Sequence, residues 1–279
     1  MARIGILACY SAMMTPKIDQ FNDIKFISLM ARVDDKEFIH GDISLEEYFN
    51  IVEKSRDIPR TSQPSTQEIA DTLTPMLSEY DFIYIVSINN GLSGIAQNFR
   101  LAIEDANASD KVRVIEAESI TLSETAVIET IIDGIELNKS IDEINSAIDE
   151  VVATSQTFLF PASFKYLKHS GRINGVQALL GAALNMKIFL QVKDGKADVV
   201  GKGRGIASIL KFLDNYIDEN GFTKVYFGQY LVDQKTCDQV INFLTSKGLE
   251  VIVGESEDIV APTHFGPNTF GVCFYKGGF

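Results

Sequence analysis

Tryptophan is absent from this sequence, and cysteine and histidine occur only three times each in 279 residues. Cys9, Cys237 and Cys273 are odd in number, far apart and in no metal-ligand spacing. That excludes a disulfide framework or a zinc ribbon and leads us to expect reduced thiols in a cytoplasm. Positive charge is scarce as well: 25 Lys and Arg face 38 Asp and Glu, for a net charge of −13 and a pI near 4.7. So acidic a surface repels phosphate backbones and anionic lipid headgroups, which argues against nucleic acid and peripheral membrane partners unless a local basic patch forms. No apolar run approaches the roughly 18 residues that cross a bilayer, so integral membrane insertion is not expected. The opening stretch ends on Cys9 like a lipoprotein leader, but it is too short for a basic flank plus an apolar region. It reads as a buried first strand.

Nucleotide signatures are missing too. There is no glycine-rich phosphate loop ending in Gly-Lys-Ser/Thr, and residues 8–15, after the first strand, hold no glycine. Gly201-Lys-Gly-Arg-Gly205 is glycine-rich and basic, but it leaves a hairpin strand and not a βαβ strand. No cofactor or metal is expected.

What is present is a globular composition, 46% hydrophobic and 23% charged. The length suggests two domains, which we place at 1–154 and 155–279. Strand-like and helix-like segments alternate. Residues 4–8 read as strand, and 25–32 with 37–40 as a hairpin around Asp34-Asp35. Ser44 and Glu47 form a capping box opening a helix toward Ser55. A loop follows between Pro59 and Pro64, and Ser65 or Thr66 caps a helix to about Glu79. Residues 82–88 are almost wholly apolar, as in a parallel strand buried on both faces. A turn at 89–94 feeds a helix to about Ala106, then a strand at 112–115. Helices at 123–137 and 140–154 precede a strand at 158–161 and helical patterns at 162–168 and 176–184. Asp194-Gly195 marks a hairpin between 187–192 and 196–202. The rest reads helix (206–219), strand (225–228), helix (233–247), strand (250–253) and strand (269–275). The expectation is an α/β fold, with a parallel-sheet domain followed by an α/β domain with a mixed sheet.

Three short stretches carry chemistry. Ser93 in Gly91-Leu-Ser-Gly94 follows a buried strand and starts a helix, beside backbone N–H groups that suit an anion. It lacks the spacing of a nucleophile elbow, because the second glycine comes one residue early. Thr61-Ser-Gln-Pro-Ser65 offers three hydroxyls, one of them a helix cap, and hydroxyls bind a carboxylate without adding charge. His264 sits between Pro262 and Pro267, in what reads as a stiff loop that holds its imidazole toward an acid. His40 falls in the first hairpin, and His169 at a helix end, where positive charge suits the dipole.

Taken in order, Thr61-Ser-Gln-Pro-Ser65, Gly91-Leu-Ser-Gly94, Leu167-Lys-His-Ser-Gly-Arg-Ile173, Ala178-Leu-Leu-Gly-Ala-Ala-Leu-Asn185 and His264-Phe-Gly-Pro267 resemble motifs of the DegV family of bacterial fatty-acid-binding proteins, which present acyl chains to a fatty-acid kinase. The resemblance implies a two-domain α/β fold with a long-chain fatty acid buried in a tunnel. It implies carboxylate contacts from Thr61, Ser62, Ser93 and His264, with Gly94 beside them. Arg172 and Arg204 match the arginines of the region that engages the kinase subunit. The chain departs from the family pattern in Ala8-Cys9-Tyr10-Ser11, where Thr-Asp-Ser is usual, in Ile95-Ala96 for Thr-Tyr, and in Glu116-Ala117 for Asp-Ser. The expected function is that of a cytoplasmic carrier without catalysis of its own. The alternative is a small acyl-ester hydrolase with Ser93 as nucleophile and His264 as base. A third reading is a structural or regulatory protein with an empty cleft.

Overall fold

In a computed structural model of the chain, which describes residues 2–174, 186–256 and 258–279, the first part runs β1 (Ile4–Cys9), α1 (Pro16–Gln20), β2 (Ile24–Ile27), β3 (Met30–Val33), β4 (Lys36–Ile39), α2 (Leu45–Lys54), β5 (Arg60–Ser62), α3 (Thr66–Glu79), β6 (Phe82–Ser87), α4 (Ile95–Asp105), β7 (Val112–Glu116), α5 (Leu122–Glu136) and α6 (Ile141–Thr154). Strands β2-β1-β6-β7 form a parallel sheet in that order. All six residues of β1 are buried, which explains its wholly apolar and small composition. Capping boxes close the N-termini of α2, α3 and α6, through Ser44 with Glu47, Ser65 with Glu68 and Ser140 with Glu143.

The expected hairpin over 25–32 and 37–40 needs correction. Residues 24–33 split at Ser28-Leu29 into two strands. β2 joins the parallel sheet, while β3 turns at Asp34-Asp35 onto β4 in a separate antiparallel sheet of order β4-β3-β5. Ile27, Leu29, Ala31 and Val33 are all buried, so the period-2 pattern runs unbroken through the split and conceals it. The expected loop between Pro59 and Pro64 holds β5, which is only three residues long. Helix α1 opens on Thr15 as N-cap with Pro16 in the first turn.

The remaining elements are β8 (Gln156–Phe160), α7 (Phe164–Ser170), β9 (Ile173–Asn174), β10 (Met186–Lys193), β11 (Lys196–Arg204), α8 (Gly205–Asn220), β12 (Lys224–Tyr230), α9 (Gln234–Ser246), β13 (Glu250–Gly254), α10 (Val260–Phe265) and β14 (Thr269–Tyr275). They build a mixed seven-stranded sheet of order β13-β12-β14-β8-β10-β11-β9. Side-chain alternation sorts its two faces. Phe158, Phe160, Phe227 and Phe274 join the core under α8 and α9, whereas Leu159, Tyr226 and Cys273 belong to the core shared with the first sheet. The glycine-rich stretch after the hairpin is strand: a Cβ on Gly201 would lie 2.7 Å from the Phe189 ring, and one on Gly203 2.3 Å from Ser208 Oγ. The expected helix at 176–184, with the Ala178–Asn185 motif, lies outside the described residues.

Helix α5 packs against β1 and β6 on one side and against β12 and β14 on the other. Almost its whole circumference is therefore buried, as expected for a helix that is apolar all round. Its polar groups are tied to the segment after β1. Ser11 Oγ lies 3.0 Å from both carboxyl oxygens of Glu124, which also accepts from Thr121 N–H at 2.7 Å. Met13 N–H donates to Thr125 Oγ1 at 2.9 Å. Glu129 accepts from Tyr226 Oη at 2.6 Å and from Thr15 Oγ1, and Lys17 pairs with Asp133 at 2.5 Å.

Burial pushes the Glu124 carboxyl up to about 8, and burial pushes Asp258 up to about 6. Between the ordinary carboxylate value and these raised ones, the folded chain holds protons that the unfolded chain has lost. The stability this adds is complete at low pH and is lost as pH rises through about 8. Glu124→Gln keeps the shape and removes one titration. The melting temperature of that variant should fall less between about pH 5 and about 8 than that of the parent, by the equivalent of up to a few kcal/mol. Parallel curves in a pH series of thermal melts would refute the assignment.

Candidate functional site

In parallel α/β sheets, ligands sit outside the carboxyl ends of the strands where the strand order reverses. Here β1 connects outward to β2 and β6 connects outward to β7, so the switch point lies between β1 and β6. A cavity of about 320 Å³ opens there, lined by Ser11 after β1, Ile88, Leu92, Ser93 and Gly94 after β6, Ile120 after β7, Thr61 and Ser62 on β5, Arg172 before β9, and Val260, Ala261, His264 and Phe265 on α10. The structure thus brings Thr61, Ser62, Ser93, Gly94 and His264 to one place from three separate parts of the chain.

Each donor is held locally. Thr61 and Ser62 pair across to Ala31 and Met30 of β3, and Asn98 Nδ2 donates to the Pro64 carbonyl at 2.9 Å, tying the same segment to α4. Ser65 caps α3, so Thr61 and Ser62 are free of that task. Ser93 is not the cap of α4. Gly94 is, and among the described residues no side chain caps the first turn of α4. The loop carrying Ser93 is fixed by the β10–β11 hairpin, where a Cβ on Gly91 would lie 2.5 Å from the Gly195 carbonyl oxygen. Asp194 N–H, at the same turn, donates to Glu118 at 2.7 Å.

The stretch around His264 is a short helix rather than a stiff loop. Pro262 sits inside its first turn, where a missing N–H costs nothing, and Gly266 ends it at φ 84°. Asp258 holds the helix start by accepting from Val260 N–H at 2.9 Å and Ala261 N–H at 2.8 Å. Tyr48 Oη meets Thr263 Oγ1 at 2.5 Å. His264 Nε2 then lies 3.1 Å from Thr61 Oγ1.

The electrostatics favour a monoanion met by neutral donors. Burial, and second to it the Arg172 guanidinium, bring the His264 imidazole down to about 4, so it is neutral near pH 7. Among the described residues, no Asp or Glu lines the cavity. Hydroxyls and a neutral imidazole N–H can satisfy a carboxylate there, and Arg172 adds a full positive charge to the lining. Apolar contact comes from Leu29, Ile88, Leu92, Ile120, Val260 and Phe265. Among the described residues no hydrogen bond joins Ser93 Oγ to His264, and no group of three or more His, Cys, Asp or Glu is placed to hold a metal ion.

Sequence reasoning missed Ser11, although a hydroxyl directly after the first buried strand was a usable signal. It also set Arg172 apart with Arg204 on a partner surface. The structure places Arg172 on the cavity wall beside His264. Arg204 lies at the far end of β11, whose Ala197 faces Ile173; at about 3.3 Å per residue that is on the order of 20 Å away. The two arginines are not brought together.

Removing the Arg172 charge should let the imidazole recover part of its basicity. In Arg172→Ala, NMR titration should find the His264 pKa above about 4 but still below 6.5, because burial is the larger cause. An unmoved value would mean that the guanidinium does not face the ring.

A family model, that of the DegV family of uncharacterised proteins, matches residues 3–277. A DegV domain-containing protein of Clostridium acetobutylicum is 31% identical over 196 residues, covering 70% of this chain and 69% of its own. A solved structure of a fatty-acid-binding DegV family protein from Thermus thermophilus superposes with a TM-score of 0.89 at 23% identity, covering 98% of this chain and 99% of that one. The fatty acid kinase B3 protein of Streptococcus pneumoniae, solved with linoleic acid, gives 0.84 at 16% identity over 98% of this chain and 99% of its own. With its parallel first sheet, its mixed second sheet and a family match over nearly its whole length, the chain belongs to the DegV family.

Proposed function

We propose that the cavity holds the carboxylate of a long-chain fatty acid and that the protein presents this group to a separate fatty-acid kinase in the cytoplasm. One observation carries the reading: Thr61, Ser62, Ser93 and a neutral His264 converge on a cavity with apolar walls and, among the described residues, no acidic lining residue. The fatty-acid-binding DegV family protein of Thermus thermophilus and the linoleic-acid-loaded protein of Streptococcus pneumoniae support it. About 14 buried methylenes supply roughly 11 kcal/mol of gross driving force, from which ordering costs subtract. The headgroup then needs only to escape a desolvation penalty, and hydroxyls at hydrogen-bonding distance do that. We place the division between the two domains near Thr154, ahead of the first strand of the seven-stranded sheet.

On this reading the protein makes and breaks no covalent bond. In the kinase's step, a carboxylate oxygen bonds to the terminal phosphorus of a nucleoside triphosphate as the bridging P–O bond breaks and the nucleoside diphosphate leaves. The rival hydrolase reading needs Ser93 within reach of a base. The imidazole's hydrogen bond to Thr61 speaks for the carrier.

Mass spectrometry of small molecules extracted from denatured protein should find free fatty acid. Protein that extracts clean and takes up no palmitate in a calorimeter would sink the proposal. His264→Ala loses a donor to a charged group, about 1.5–3 kcal/mol or roughly 10- to 150-fold in affinity, and wild-type affinity in that variant would make His264 a purely structural residue. Hydrolysis of p-nitrophenyl esters should be no faster than in Ser93→Ala. A rate about a hundredfold above that variant would promote the hydrolase.

A further inference from the structure

Beside the cavity lies a second cleft of about 520 Å³, between the segment that follows α2 and helix α7. The two share Thr61, Arg172 and His264 in their walls. The second cleft differs in charge. Among the described residues, Arg56, Arg60, Lys165, His169 and Arg172 line it, against one carboxylate, Asp57. Among the described residues none of these five basic side chains enters an ion pair. Arg172 donates to the Ser170 carbonyl at 2.9 Å, and the Lys165 ammonium lies over the Tyr166 ring at 5.5 Å. In a chain of net charge −13, the four cationic side chains Arg56, Arg60, Lys165 and Arg172 form a local excess that structure alone does not require, even with Asp57 among them and Asp34 and Asp35 in the adjoining hollow that Arg56 and Arg60 also line.

We propose that this cleft is a phosphoryl subsite, which takes the phosphate dianion of an acyl phosphate whose chain stays in the cavity. The inference rests on the fatty-acid reading above and adds to it a place for the product's headgroup. Phosphorylation turns one negative charge into two and lengthens the headgroup by one phosphoryl unit. The cavity itself meets the added charge with neutral donors and one guanidinium. The adjoining cleft offers arginine forks, which match phosphate oxygens in pairs, and a lysine point charge. Thr61 and His264 mark the boundary, so an acyl oxygen bound there leaves the phosphorus facing the basic wall. Arg172 then serves both headgroups, whereas Arg56, Arg60 and Lys165 serve only the second.

The test uses the full chain and three probes in calorimetry: palmitate, hexadecylphosphonate as a stable dianionic mimic, and inorganic phosphate. Arg56→Ala combined with Arg60→Ala should weaken hexadecylphosphonate at least about tenfold and leave palmitate within about twofold, and Arg56→Lys with Arg60→Lys should restore part of the loss. Lys165→Gln offers the same split if the double variant does not fold. Equal losses for both lipids, or none, would overturn the subsite while the fatty-acid reading stood. Inorganic phosphate that binds with the same arginine dependence, while hexadecylphosphonate is unaffected, would assign the cleft to free phosphate and overturn it as well. If wild-type protein binds neither palmitate nor hexadecylphosphonate, the fatty-acid reading falls and the subsite with it.

Discussion

Burial of α5 between two sheets is the constraint on which the rest of this structure depends. A helix enclosed on both sides must either be wholly apolar or find internal partners for every polar group, since an unpaired carboxylate at such depth is costly. Glu124 and Glu129 find theirs in Ser11, Thr15 and Tyr226. These bonds run from the helix to the segment after β1 on one side and to β12 on the other. The helix that separates the sheets is thereby the one that binds them. Ser11 also lines the candidate cavity, so the packing of the core and the floor of the site share a residue.

Charge in the molecule is arranged in layers around that site. Deepest are Glu124 and Asp258, carboxyls whose protons burial retains beyond their ordinary range. Next is the cavity, with hydroxyls, a neutral imidazole and Arg172. Outermost is the basic cleft. Passing outward, the wall changes from groups that avoid charge to groups that demand it. The fatty acid proposed above, with an apolar tail and an anionic head, would match this order, its tail toward the walls of Leu29, Ile120 and Phe265.

Much of this was legible in the sequence, for definite reasons. Capping boxes at Ser44, Ser65 and Ser140 announce helices because both partners lie within four residues of one another. Asp194-Gly195 announces a hairpin because both positions must adopt positive φ, which they do at 50° and 66°. The gathering of Thr61, Ser93 and His264 followed from motifs and not from periodicity. The sequence was silent where a pattern continues across a change of partner, as at Ser28-Leu29, and where an element is as short as β5 or α10. It was silent also about Arg172, since nothing local tells an arginine after a helix C-cap whether it faces a partner or a cavity. That is decided by how α7 meets α10, a contact between segments some 90 residues apart.

One small contact has a wider consequence. The backbone of Gly195 approaches that of Gly91 so closely that neither turn has room for a side chain, and a Cβ on Gly195 would itself fall 2.1 Å from Asn89 Oδ1. The tip of a hairpin belonging to the seven-stranded sheet therefore sets the height of the loop that carries Ser93 at the end of the parallel sheet. Sequence drift in either turn is shackled to the other across more than a hundred residues. Insertions that surface hairpins ordinarily accept are disfavoured here, because a longer tip would displace Ser93 from the cavity that it lines together with Thr61.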